Sequence, residues 1–220
     1  GLTGDSMVVD SETCALDLLD AGDLGTIEPG EMLIIDKDGM RRESLGATAP
    51  RRHCIFELVY FARPDSIVFG EEVYSCRKRM GNQMSIESTP DADFVLPFPD
   101  SGVYCALGFA QQSGLPYEHA IIRNHYVGRT FIQPTQEMRN FGVRVKLNPV
   151  RGFLRNRRVV LADDSIVRGT TIRTRARHLR ELGVKEVHFR VSSPPVAHPC
   201  FHGVDFPSRK ELIASSQCKD

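Results

Sequence analysis

No stretch of this 220-residue chain is apolar over the length needed to cross a membrane, and no signal peptide stands at its start. Membrane-spanning and secreted classes are thereby set aside, and a cytoplasmic protein without a membrane partner is expected. None of the six cysteines (Cys14, Cys54, Cys76, Cys105, Cys200 and Cys218) forms a Cys-x-x-Cys pair. With no export signal, disulfides are not expected; Cys76 and Cys105 lie in helical patterns and read as small core residues. There is no initiator Met. The chain opens Gly1-Leu2-Thr3 and stops at Cys218-Lys219-Asp220, just past a helical pattern, so a piece of a longer protein is expected. Net charge is also lacking, at +0, but the balance is uneven. Arg123 to Arg180 holds 14 of the 28 Lys and Arg against three acids, Glu137, Asp163 and Asp164, a net +11 that leaves −11 elsewhere. A basic segment in a neutral chain suggests a polyanionic ligand. Arg173, Arg175, Arg177 and Arg180 also fit a plain solvated helix face.

What is present centres on one run, Arg157-Arg-Val-Val-Leu-Ala-Asp-Asp-Ser-Ile-Val-Arg-Gly-Thr-Thr171, in which Val159 to Ala162 read as a buried strand. Asp163 and Asp164 follow where that strand leaves its sheet. Ser165 to Thr171 form a turn rich in hydroxyls and backbone N–H groups, and a helix starts after Gly169 with Ile172, Ala176 and Leu179 on one face. A loop between a parallel strand and a helix N-terminus is a natural phosphate cradle. Paired acids suit sugar hydroxyls or Mg²⁺, which prefers hard oxygen ligands. Taken alone, Asp-Asp-Ser also fits a simple helix N-cap.

As a whole the run resembles the phosphoribosyl pyrophosphate (PRPP) motif of type I phosphoribosyltransferases. In the form Asp-Asp-Ser-Ile-Val-Arg-Gly-Thr-Thr it is similar to one family, the glutamine PRPP amidotransferases (amidophosphoribosyltransferases). The resemblance implies that Asp163 and Asp164 hold the ribose hydroxyls and Mg²⁺, and that Ser165, Ile166, Val167, Arg168, Gly169, Thr170 and Thr171 hold the 5-phosphate. Ala162, where Val is commoner, and Gly102-Val103-Tyr104-Cys105 are mild departures that leave the acids and hydroxyls intact.

Other segments agree. Met7 to Val9 and Met32 to Asp36 read as strands and Thr13 to Leu19 as a short helix, with turns at Pro29-Gly30 and Asp38-Gly39. Ser11 to Asp17 and Glu28 to Asp36 resemble the closing segments of the family's glutaminase domain, which has an N-terminal-nucleophile fold. The part carrying the nucleophilic cysteine is not in this sequence, and Cys14 does not stand in for it. Gly46 to Arg52 reads as a linker. The expected domains are therefore 1–45, the end of a glutaminase domain, and 46–220, most of a phosphoribosyltransferase domain. Cys54 to Ser66 is expected to open with a strand and close in a Pro-Asp turn. Glu71 to Met84 is expected to be helical, with Val73, Cys76 and Met80 on one face.

Asp93 to Gly102 reads as a strand running into Pro99-Asp100-Ser101-Gly102, with a helix onward to Gln112. Alone this is a capped turn. Beside the PRPP motif it resembles the family's pyrophosphate loop, which implies that Ser101 ligates Mg²⁺ and that the backbone near Pro99, Asp100 and Gly102 faces pyrophosphate. After a strand over Glu118 to Arg123, a polar, basic stretch runs to Arg157, too long for an ordinary connector. Its start resembles the family's catalytic loop. That implies Arg129 as a fork-shaped donor to pyrophosphate and Tyr126 closing over the sugar, while His125 reads as polar surface. Glu186 to Ser192 is the last strand and Ser208 to Ala214 a last helix. In one branch of the family, cysteines matching Cys54 and Cys200 are two of the four ligands of a 4Fe–4S cluster. His198 and His202 read as loop residues.

Strands alternating with helices from 54 to 214 imply an α/β fold with a parallel sheet and ligand loops at the strand carboxyl ends. The resemblance implies that ammonia from glutamine joins C1 of PRPP to give 5-phosphoribosylamine, the opening step of purine synthesis. It also implies purine nucleotides as feedback inhibitors and a homo-oligomer at full length. A salvage phosphoribosyltransferase acting on a nucleobase does not fit the glutaminase remnant. A non-catalytic PRPP-binding regulator is the alternative. It would need a DNA-binding module, none is visible, and no nucleic-acid partner is expected.

Overall fold

The computed structural model describes residues 1–46, 50–124, 147–206 and 208–216. The chain divides into two compact units, Gly1–Val73 and Tyr74–Asp220.

In the first unit, β1 (Leu2–Thr3) and β2 (Ser6–Met7) form a small antiparallel pair, and α1 (Thr13–Leu18) buries Cys14 and Leu16. β3 (Glu31–Asp36) and β4 (Gly39–Ser44) make a hairpin in register from Glu31 opposite Ser44 to Asp36 opposite Gly39. Its two-residue loop needs a positive φ at Gly39, +112°, which glycine supplies without steric cost. Cys54 to Ser66 departs from expectation. It is helical, with a π-helical turn over Glu57–Phe61, and no strand forms there. The burial explains why: Val59 and Ala62, three apart, are buried, whereas Ile55 and Phe61, which a strand would place beside Val59, are exposed. β5 (Ile67–Val68) and β6 (Glu71–Glu72) close the unit as a short antiparallel pair.

The second unit is built on a parallel sheet of order β11-β10-β7, comprising β7 (Phe94–Pro97), β10 (Arg158–Asp163) and β11 (Glu186–Val191). Its strands pair Val159 with both Val187 and Phe94, and Leu161 with both Phe189 and Leu96. Val159, Val160, Leu161 and Ala162 are all fully buried, which requires cover on both faces and explains the unbroken apolar run in the sequence. On one face Phe94, Leu96, Val159 and Leu161 pack with Leu154 of α4 (Arg151–Leu154), Leu179 of α5 (Thr170–Glu181), and Ile121 and Leu147. On the other, Val95, Val160 and Ala162 pack with Met84 of α2 (Val73–Glu87) and with Cys105, Ala106 and Phe109 of α3 (Val103–Ser113).

Helices α2 and α3 cross in backbone contact. A Cβ on Gly81 would lie 2.0 Å from the Cys105 carbonyl oxygen, and one on Gly108 would lie 2.0 Å from that of Lys78. Only glycine fits at either point. β8 (Ile121–Arg123) and β9 (Leu147–Pro149) pair antiparallel, Arg123 opposite Leu147. The expectation of one continuous loop from Arg123 to Arg157 is thus corrected at its end. Leu147 and Leu154 are buried against the sheet, and that apolar anchoring turns 147–154 into a strand and a helix. Ser208 to Ala214 is not an α-helix either. It forms two 3₁₀ turns, Arg209–Glu211 and Ile213–Ser216, broken at Leu212, whose buried side chain sits in extended backbone. Among the described residues no helix is long and apolar enough to cross a membrane.

Candidate active site

Two loops leave neighbouring parallel strands at the same edge of the sheet. The first follows β7. Phe98 N–H donates to the Ala162 carbonyl at 2.8 Å, and Gly102 N–H turns back to donate to the Phe98 carbonyl at 2.9 Å. This tight return leaves no room for a side chain at 102, where a Cβ would lie 2.3 Å from the Ala162 oxygen. The Pro99–Asp100 peptide bond is cis. Asp100 is exposed and ion-paired with Arg123 at the end of β8.

The second loop follows β10. Asp163 and Asp164 are only 7% and 5% exposed, so two carboxylates sit side by side out of water. Their carbonyls are held by β11's exit, with Ser192 N–H donating to Asp163 O at 3.1 Å and Ser193 N–H to Asp164 O at 2.8 Å. The Asp164 N–H donates to Asp163 Oδ1 at 2.9 Å, and the Ser165 hydroxyl donates to Asp164 Oδ1 at 2.5 Å. The two loops meet where the Ser101 hydroxyl lies near enough to the Asp163 carboxylate to favour its ionised form. Ser101, Asp163 and Asp164, named together from sequence, are therefore together in space.

Burial, and then the neighbouring Asp164 charge, push the Asp163 carboxyl up to about 8, against the Asp164 N–H and the Ser101 hydroxyl, which favour its ionised form. Two buried acids and a hydroxyl are a hard-oxygen set of the kind that takes Mg²⁺ through one or two carboxylates with substrate phosphates completing the shell. Among the described residues no group of three or more His, Cys, Asp and Glu side chains gathers to hold a metal ion by itself. The chain's residues thus fit a shared protein–substrate Mg²⁺ site.

The simpler possibility for Asp-Asp-Ser, a helix N-cap, does not hold. α5 begins at Thr170, and its N-cap is Gly169 in the left-handed conformation at φ +72°, with no side-chain cap. α3 likewise starts after Gly102 without one. Both helices therefore direct their first backbone N–H groups toward the loops. Ile166 and Val167 are half-buried, while Arg168, Thr170 and Thr171 are exposed. Tyr126 and Arg129, and with them His125, lie outside the described residues.

Two groups at the site escaped the sequence reading. Arg77 of α2 is 5% exposed. Burial lowers its pKa, and the Asp164 charge opposes that shift. Its signal was legible: it shares the buried stripe with Val73, Gly81 and Met84 at helical spacing. Cys105 also backs the acids, donating to Gly102 O at 3.3 Å and lying 3.7 Å from Asp163 O; burial pushes its thiol up to about 12. One basic residue is corrected as well. Arg175 does not belong to a solvated face, because it is half-buried with its guanidinium 5.7 Å from the centre of the Phe98 ring, whereas Arg173, Arg177 and Arg180 are exposed.

Cys54 is exposed and Cys200 half-buried. Backbone N–H groups of His202, Val204 and Gly203 hold the Cys200 thiol below its ordinary pKa. Two cysteines do not make a four-thiolate cluster site. His198 Nδ1 accepts from Arg209 Nη2 at 3.0 Å, as a loop residue would. A cavity of about 360 Å³ lies in the first unit, lined by Met7, Leu16, Leu33, Met40 and Phe69 among others, and none of the named site residues lines it.

No family model matches the chain. Curated relatives do. The chain is 52% identical over 94% of its length to an amidophosphoribosyltransferase of Synechocystis sp., and 52% identical over 98% to that of Bacillus subtilis. It is 51% identical over 96% to a chloroplastic amidophosphoribosyltransferase of Arabidopsis thaliana. It spans 42%, 45% and 37% of these proteins, less than half their length. Among solved structures, a glutamine PRPP amidotransferase from B. subtilis complexed with ADP and GMP matches at TM-score 0.85 and 52% identity, over 94% of this chain and 45% of that one. A structure described as the allosteric regulatory enzyme of purine biosynthesis matches equally well, over 44% of its chain.

Proposed function

We propose that this chain, homologous along nearly its whole length to part of the amidophosphoribosyltransferases, carries the PRPP-binding and transfer half of that reaction. Residues 1–45 are assigned to the end of a glutaminase domain and 46–220 to the phosphoribosyltransferase domain. The observation that carries the reading is the convergence of the Ser101 hydroxyl on the buried Asp163–Asp164 pair at the carboxyl edge of a parallel sheet.

Asp163 and Asp164 hold the ribose hydroxyls and, with Ser101, Mg²⁺. The backbone N–H groups of Ser165 to Thr171 and the start of α5 hold the 5-phosphate, while Pro99 to Gly102 face the pyrophosphate. Mg²⁺ supplies charge neutralisation at the leaving pyrophosphate. Ammonia, delivered from glutamine in the whole enzyme, forms a bond to C1 with inversion as the C1–pyrophosphate bond breaks, giving 5-phosphoribosylamine for purine synthesis. The chain's part is positioning and exclusion of water, with Arg129 on pyrophosphate and Tyr126 over the sugar. A 4Fe–4S cluster using Cys54 and Cys200, purine-nucleotide feedback, homo-oligomeric assembly and a cytoplasmic site belong to this reading at the level of the whole protein.

Calorimetry tests it. PRPP should bind only with Mg²⁺, and Asp163→Asn combined with Asp164→Asn should weaken binding at least about a hundredfold, the scale of two lost charge-assisted contacts. Unchanged affinity in the double variant would overturn the assignment.

A further inference from the structure

The phosphate loop is held by a segment distant in sequence. Arg168, though exposed, is turned back onto this segment: its Nε and Nη2 donate to Glu211 Oε2 at 2.8 and 2.5 Å, and Nη2 also donates to the Asp205 carbonyl at 2.7 Å. The other carboxylate oxygen of Glu211 accepts from the Ser208 hydroxyl at 3.0 Å. One residue before Arg168, the Val167 carbonyl accepts from Ile213 N–H at 3.0 Å. One residue after it, a Cβ on Gly169 would lie 2.9 Å from Ile213 Cδ1. The segment is itself anchored, since Phe206 and Leu212 are 4% and 3% exposed. Residues 167, 168 and 169 are thus each braced by contacts from Asp205, Glu211 or Ile213, immediately before the first turn of α5.

We propose that Glu211 is a positioning residue for the 5-phosphate, fixing the backbone of residues 166–170 through Arg168. The inference rests on the functional reading above. A cradle of backbone N–H groups binds phosphate well only if the amides already converge, because ordering them on binding costs affinity. Arg168, neutralised by Glu211, acts as a strut for that cradle and not as a charge offered to the ligand. Contact with the pyrophosphate end is left to the loop after β7, which this segment does not touch in any of these bonds.

The proposal predicts a split between the two ends of the substrate. Affinities of the full chain for Mg²⁺–PRPP, ribose 5-phosphate and Mg²⁺–pyrophosphate are measured by calorimetry for the parent, Glu211→Ala and Glu211→Gln. Arg168 and Glu211 form a partly exposed pair, their side chains 42% and 33% exposed, so the loss is modest. Glu211→Ala should weaken PRPP and ribose 5-phosphate about threefold to tenfold and leave Mg²⁺–pyrophosphate unchanged. Glu211→Gln, which keeps a neutral acceptor, should fall between. Hydrogen exchange without ligand should speed up at amides 166–170 in the same order. Equal affinities in parent and variants, or equal losses for all three ligands, overturn the proposal. A parent that binds none of the three overturns the parent reading instead, a result that no Glu211 variant can mimic.

Discussion

Replacing Asp163 with Asn should change how the fold responds to pH, and the direction follows from its burial. The carboxyl stands at about 8 in the folded chain against an ordinary 3.8, so the folded state binds this proton more tightly than the unfolded state does. A raised pKa contributes stability that is fully present below the unfolded value and is lost as pH climbs through the folded one. The window is therefore about pH 4 to 8. At about 1.4 kcal/mol per pH unit, the whole span corresponds to a loss on the order of 5 kcal/mol by pH 9. Asn has no proton to lose and keeps the neutral form's shape. Urea unfolding of the metal-free chain at pH 5.5 and pH 9 should show the parent losing stability with rising pH and Asp163→Asn losing far less. Mg²⁺ together with PRPP, added at pH 9, should restore the parent, because the shared site then takes a cation in place of the missing proton, and should do less for Asp163→Asn. Parallel pH profiles for parent and variant would refute the reasoning, since the slope would then come from other groups.

Gly102→Ala should cost about 3 kcal/mol or more, because its methyl would overlap a backbone oxygen that cannot move without shifting β10; thermal unfolding reads it, and Gly152→Ala, with nothing within 4 Å, should be neutral or slightly stabilising. Gly81→Ala and Gly108→Ala should each wedge α2 from α3 and lower the melting temperature by a similar amount. Arg77→Met should leave Asp164 without its buried counter-charge and weaken Mg²⁺-dependent PRPP binding about tenfold or more by calorimetry; affinity equal to the parent's would remove Arg77 from the site. Pyrophosphate release from PRPP with ammonium salts should climb from about pH 7 to 9, since only unprotonated ammonia has a free electron pair; a flat pH profile would count against ammonia as the nucleophile.

The parts of the site legible in the sequence are those whose signal is local. Val159 to Ala162 can be continuous and apolar only in a strand covered on both faces, and Asp163, Asp164 and Gly169 mark its exit and the helix start within a few residues. Pro99 to Gly102 repeats that pattern. Cys54 to Ser66 was misread because a short apolar run serves a strand or a helix equally, and only the burial of Val59 and Ala62 decides between them. Leu147 to Leu154 was submerged in a basic stretch whose few apolar residues find their partners on the sheet far away in sequence. Arg77 and Glu211 act on the site from other elements, so their roles depend on tertiary packing that no nearby residue announces, although an arginine on the apolar stripe of α2 was a visible anomaly.

The short ladder of β8 and β9 has an entropic corollary. Arg123 and Leu147 face each other across one rung, with Ile121 and Leu147 locked into the core. Whatever chain is inserted beyond that rung enters and leaves at one fixed doorway. The entropy of closing an insert grows only logarithmically with its length, by about 0.6 kcal/mol for each doubling. The ladder thus fixes where the chain must leave and rejoin the core, at 123 and 147, and makes the number of residues between those two points a minor cost to the fold.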